Sequence, residues 1–88
     1  RAAELTPEVA YIYYNRGNLY ALSSYMPTAY EDYSRALELA PYLADAYFNR
    51  GLVQLYMKDT QKGVMDLSKA GELGIKEAYG ILKRYQKN

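Results

Sequence analysis

The sequence predicts an all-α fold of about five short helices, and three observations carry that expectation. Slid against itself by 34 residues, the chain matches in one gapless register: Arg1, Arg35 and Lys69 align, as do Ala2, Ala36 and Ala70, Glu4, Glu38 and Glu72, and Leu5, Leu39 and Leu73. A fixed period of roughly 20 to 50 residues marks an architecture of stacked repeats. Within each period the apolar residues recur at helical spacing, as Val9, Ile12, Tyr13, Leu19 and Tyr20 and then as Ala29, Tyr33, Ala36 and Leu37. Pro7, Pro27 and Pro41 all fall at breaks in that pattern, where a missing N–H costs a helix least.

The elements follow in order. A first helix over 8–22 closes at the break "LSSYMP", and a second over 26–39 closes at "LAPYLA". The third, over 43–57, carries "ADAYFNRG" (44–51) where the first carries "AYIYYNRG" (10–17), so that Ala10, Tyr13, Asn15, Arg16 and Gly17 return as Ala44, Tyr47, Asn49, Arg50 and Gly51. The fourth, over 60–73, repeats Asp32 and Ser34 as Asp66 and Ser68, and a fifth runs over 75–87. Helices this short are marginal alone in water, so packing against neighbours must hold them. The chain divides into 1–6, a remnant of a preceding unit's second helix; 7–40, one unit; 41–74, the next; and 75–88, a capping helix. "RAAELTP" at the start copies "RALELAP" at 35–41, so the chain is expected to begin inside a unit. At the far end Tyr85 takes the place of Gly17 and Gly51 and would obstruct a following helix, while Lys83, Arg84, Gln86 and Lys87 suit a solvating cap. A first helix with nothing before it leaves Ile12 and Leu19 open to water and favours self-association.

Composition narrows the chemistry. The 88 residues are half apolar with a net charge of +1, which suits one small globular domain and gives no electrostatic grip on nucleic acid or a membrane surface. With no cysteine and no histidine, disulfides, thiolate and imidazole catalysis and the usual zinc sites are excluded, and the compartment is left open. The apolar runs are too short to span a bilayer. No glycine-rich phosphate cradle and no facing pair of buried acids is visible, so no catalytic residue, metal ligand or cofactor is expected. Twelve tyrosines against one phenylalanine and no tryptophan point to half-buried seams and contact surfaces.

Period and pattern together resemble the tetratricopeptide repeat. In the first unit the family's positions are matched by Tyr13, Gly17, Tyr20, Ala29, Tyr33 and Pro41; in the second by Tyr47, Gly51, Gly63, Leu67 and Ala70, with Gln54 and Ile75 departing from the aromatic and the proline. The resemblance implies a right-handed superhelical stack of antiparallel helix pairs. Gly17 is then expected opposite Ala29 and Gly51 opposite Gly63, with Tyr13, Tyr33 and Tyr47 filling the remaining gap. Arg16 and Arg50 stand where the family usually has leucine, and Asp32 and Asp66 recur with them. Each arginine either pairs at the helix seam with an aspartate, of its own unit or the preceding one, or extends to solvent.

The resemblance also implies a concave face formed by the first helix of each unit, where the family binds peptides. Its residues are Tyr11, Tyr14, Asn18 and Leu22 from the first unit, Asp45, Phe48, Asn49, Leu52 and Tyr56 from the second, Tyr79, Leu82 and Lys83 from the last helix, and Tyr42 at the rim. Spacings of three and four residues place each set on one helical face. Family members that hold the acidic tails of heat-shock chaperones use lysines, asparagines and an arginine. Asn18, Asn49 and Lys83 fall on such positions, but Tyr14 and Tyr79 replace two of the cations, so that specificity is not expected. The function implied is a protein-interaction scaffold whose partner is a peptide or protein. The competing reading is a structural spacer, a self-associating segment, or an excised or engineered fragment with no ligand of its own.

Overall fold

Residues 7–85 are described by the computed structural model and form five α-helices: α1 (Pro7–Leu22), α2 (Met26–Leu39), α3 (Ala44–Tyr56), α4 (Thr60–Glu72) and α5 (Glu77–Tyr85). The expectations for residues 1–6 and 86–88 lie outside the described residues. Neighbouring helices run antiparallel. Across α1 and α2, Arg16 meets Asp32 and Tyr20 meets Tyr25; across α3 and α4, Arg50 meets Asp66 and Gln54 meets the Lys62 carbonyl. The layers follow one another into a body 46 × 27 × 17 Å.

No side chain caps the N-terminus of α2, α3 or α4. Their order comes from the turns and from burial. The turn after α1 places Ser24 at φ 69° and returns the Tyr25 N–H to the Tyr20 carbonyl. The turn after α3 repeats it 34 residues later, with Lys58 at φ 70° and the Asp59 N–H on the Gln54 carbonyl. This left-handed closure satisfies carbonyls that the helix end leaves free. Both positions normally favour glycine, and neither residue type announces the turn.

Between α1, α2 and α3 the core consists of Ala10, Ala36, Leu37, Ala40, Leu43 and Ala46, with Tyr13, Tyr14 and Tyr47 against it. Ala29, Tyr33 and Val53 form a second cluster, and Leu67, Ala70, Ala78 and Leu82 a third. The two large side chains buried most completely, Tyr33 and Leu67, are one period apart. Gly51 and Gly63 do face each other: a Cβ on Gly63 would lie 3.0 Å from the Gly51 carbonyl oxygen, and a Cβ on Gly51 would lie 3.1 Å from that of Gly63. In the first unit the nearest neighbours of Gly17 are side chains, Tyr33 and Asp32. Gly17 is overlain by the Tyr33 ring, 2.9 Å from where its Cβ would be, while Ala29 packs with Tyr33 and Val53. Tyr33 thus lies over Gly17 as Leu67 lies over Gly51, where the added Cβ would meet Leu67 Cγ at 2.9 Å.

The last helix also departs from the 34-residue register. Leu43, Ala46 and Tyr47 of the second unit are matched by Ile75, Ala78 and Tyr79, an interval of 32: Ala46 and Ala78 are both fully buried, and each bonds back to the residue three before it. The cause is Gly74. At φ 113° it closes α4 tightly, with the Ile75 N–H on the Ala70 carbonyl, whereas α2 ends at Ala40 with φ −143° and needs two more residues to turn. Position for position, Lys83 rather than Tyr85 therefore corresponds to Gly51.

Two substitutions test this account by denaturant unfolding. Lys58→Gly relieves a left-handed backbone strain and raises stability by about 1 kcal/mol. Gly63→Ala forces the α3 and α4 backbones apart and lowers it by about 1–3 kcal/mol.

Candidate functional site

The final turns of α1, the start of α2 and the middle of α3 enclose an open cavity of about 530 Å³. Asn18, Ala21 and Leu22 line it from α1, Met26 and Tyr33 from α2, and Asn49, Leu52, Val53 and Tyr56 from α3. No lining side chain is charged. Leu22 is 83% exposed and Tyr56 65%, large apolar groups held at the mouth of a concave surface instead of inside it.

A polar network fixes the floor. The Tyr33 hydroxyl donates to Asn18 Oδ1 at 2.5 Å, and Asn49 Nδ2 donates to the same oxygen at 3.0 Å and to the Tyr14 hydroxyl oxygen at 3.1 Å. Tyr14 also lies against Tyr33, ring centroids 5.9 Å apart, and takes Tyr11 edge-on at 6.1 Å. Burial pushes the Tyr33 hydroxyl up to about 12, with the neighbouring Tyr14 and Asp32 adding to it against the opposing hydrogen bond of Asn49. Burial also raises Tyr14, Asp45 reinforcing it and the asparagines opposing. Both phenols thus stay neutral donors and acceptors.

Beneath the groove each unit is held by an ion pair. Arg16 donates from Nε and Nη2 to the two oxygens of Asp32, each at 2.9 Å. Arg50 does the same to Asp66 at 2.6 and 3.0 Å, and its Nη1 reaches back to Ser34 Oγ in the preceding unit at 3.0 Å. The pairing is within a unit in both cases, and Arg50 adds a tie between units. Gln54 donates to Asp66 at 2.7 Å and gives that carboxylate a third hydrogen bond. Burial pulls the Arg50 guanidinium down, but the hydrogen bonds and charge of Asp66 outweigh it and leave it above its ordinary value; Arg16 is raised by its hydrogen bonds to Asp32. The two pairs differ in exposure, Arg16 at 54% against Arg50 at 20%.

Of the residues expected on the concave face, Asn18, Leu22, Asn49, Leu52 and Tyr56 come together in the cavity, with Tyr14 and Tyr11 beside its floor. Asp45 is exposed near Tyr14, and Tyr42 is exposed ahead of α3. The α5 residues do not join them. Leu82 is a core residue packed with Leu67, Ala70 and Ala78, and Phe48 is half-buried against that same cluster. Tyr79 lays its ring over Gly71 of α4, and Lys83 is exposed at the place equivalent to Gly51. The two-residue advance of α5 accounts for all three displacements in α5: two residues turn a helix by about 200°, exchanging its faces. Ala21, Met26, Tyr33 and Val53 were not anticipated. Met26 follows from the tight turn at Ser24, which returns the chain at once beside Leu22.

Among the described residues no group of acidic side chains could hold a metal ion, and no helix is long and apolar enough to cross a membrane. Compared with protein-family models and with curated proteins, the chain matches none.

Two measurements probe this arrangement. Arg50→Leu strands Asp66 in a mostly buried place and lowers stability by about 3 kcal/mol, read from the urea midpoint. Because the Tyr33 hydroxyl is raised above its unfolded value of about 10, the folded state holds that proton more tightly. Stability is therefore fully present below pH 10 and falls as pH rises towards 12; Tyr33→Phe flattens that alkaline loss.

Proposed function

We infer that this chain is a protein-interaction scaffold of the tetratricopeptide-repeat kind, its helix pairs forming a right-handed superhelical stack that holds a peptide or a segment of a protein. The observation that carries the reading is the 530 Å³ groove with apolar walls and two asparagines in its floor. Burying one large apolar side chain there is worth about 1.5–3 kcal/mol, enough to anchor a short segment when two or three contribute. Asn49 spends both amide hydrogens within the protein, so its carbonyl oxygen is left for a ligand N–H, and Asn18, whose oxygen is taken twice, has its amide hydrogens for a ligand carbonyl. That complement suits a peptide backbone whatever its sequence.

Uncharged walls favour a neutral, apolar segment over an acidic tail. The α5 register supports the same preference, since Lys83 stands at the place equivalent to Gly51, away from the groove positions. The role is binding, with no reaction to catalyse.

A peptide-library screen followed by titration tests this. Selected peptides are rich in Leu, Met or Phe, and their affinity changes little between low and high salt. Leu22→Asp and Leu52→Asp each weaken binding by about tenfold or more, equivalent to ~1.4 kcal/mol, with the circular dichroism spectrum unchanged. Affinity indifferent to both substitutions sinks the reading.

A further inference from the structure

The floor of the groove has more hydrogens to donate than oxygens to accept with. The Asn18 oxygen is taken by the Tyr33 hydroxyl and by Asn49, and both Asn18 amide hydrogens lack an acceptor among the described residues. The Tyr14 hydroxyl oxygen accepts from Asn49, and its own hydrogen also lacks an acceptor there. Burial keeps that hydrogen on the phenol, raising it above its ordinary value. Against these three hydrogens stands one unpaired amide oxygen, that of Asn49. Ala21, Leu22, Met26, Leu52 and Val53, which line the rest, add no side-chain nitrogen or oxygen.

This imbalance selects among backbones. An ordinary extended peptide brings one N–H for every carbonyl. In this groove its carbonyls find donors, but each N–H buried beyond the one at Asn49 loses water and gains no partner, which is the costly case. Proline offers a carbonyl and no N–H. A polyproline II helix has no internal hydrogen bonds and is already ordered before it binds, so its carbonyls are available and little entropy is lost. Tyrosine rings are the surfaces on which such segments pack. Tyr14 and Tyr33 supply them in the floor, with centroids 5.9 Å apart, and Tyr56 at the mouth is 65% exposed. Three residues make one turn, so one apolar anchor per turn enters the cavity between flanking prolines.

We propose that the segment held in this groove is proline-rich and bound as a polyproline II helix, its carbonyls facing Asn18 and Tyr14 and one non-proline N–H facing the Asn49 oxygen. The proposal rests on the reading of the groove as a peptide site and specifies the peptide. Leucine, methionine or phenylalanine is the anchor, and proline flanks it. What is recognised is a backbone short of hydrogens, so the ligand needs neither an acid nor a base.

Three labelled nonapeptides, titrated against the full chain by fluorescence anisotropy, are the test. In the first, two leucines stand among prolines. In the second every proline becomes alanine, and in the third N-methylalanine, which removes the N–H without supplying the ring. The proline peptide binds about tenfold or more tighter than the alanine peptide, and the N-methylalanine peptide lies within about threefold of it. Asn18→Asp keeps the oxygen that Tyr33 and Asn49 require and replaces the two free hydrogens with an acceptor, so it narrows the proline-to-alanine ratio by about tenfold. Tyr14→Phe, which removes the third hydrogen, narrows it in the same direction. Equal binding of proline and alanine peptides overturns the proposal and leaves the groove reading standing. So does an N-methylalanine peptide as weak as the alanine one, or a proline preference that both variants leave intact. If no leucine-bearing peptide of any backbone binds, the groove reading has failed and the proposal falls with it.

Discussion

At Gly51 and Gly63 two helix backbones pass so closely that neither could carry even a methyl group without displacing the other. That proximity sets the spacing of α3 and α4, and with it the distance over which Arg50 reaches Asp66. Had the helices been held apart by side chains of ordinary size, Asp66 would have had to be hydrated or lost, since a carboxylate this far from water survives only when its oxygens are met. Arg50 meets them twice and Gln54 once. Close approach and charge satisfaction are thus one arrangement, and the apolar clusters on either side pack to the geometry it defines.

The first unit reaches a similar end by different means. Tyr33 stands in the place of Leu67 and lies over Gly17 as Leu67 lies over Gly51, but carries a polar tip. Its hydroxyl emerges at the groove, where it orders Asn18. The ion pair below it is bidentate, as in the second unit, but Arg16 is largely in water, where such a pair contributes little. Burial, and not the mere presence of the pair, separates the two arginines. The units share a sequence pattern and a topology while differing in how each is held.

Most of the architecture was legible because helical spacing and the repeat agree. The α1 to α4 boundaries fell within a residue of expectation, and the two arginine–aspartate pairs followed from their joint recurrence. Five residues that the repeat resemblance placed on one inner face, Asn18, Leu22, Asn49, Leu52 and Tyr56, line the same cavity. What failed was the last helix, and the reason is local. Matches such as Glu38 with Glu72 hold the 34-residue register to the end of α4, and nothing after them in the sequence marks a shorter turn except Gly74 itself. A glycine is compatible with several backbone conformations, and only one of them advances the helix by two residues. Met26 and Val53 escaped for another reason: their contribution to the groove depends on how units stack, which a single helical face cannot display.

Two donors converge on the Asn18 oxygen, and turning that amide alone would set its N–H against the Asn49 amide hydrogens. The groove floor therefore has a fixed polarity, with hydrogens offered from α1 and a lone pair from α3. An extended chain crossing from one helix to the other presents its carbonyls and N–H groups in an order set by its own direction. For a peptide bound as proposed, those two groups would favour a register that puts a carbonyl at Asn18 and an N–H at Asn49.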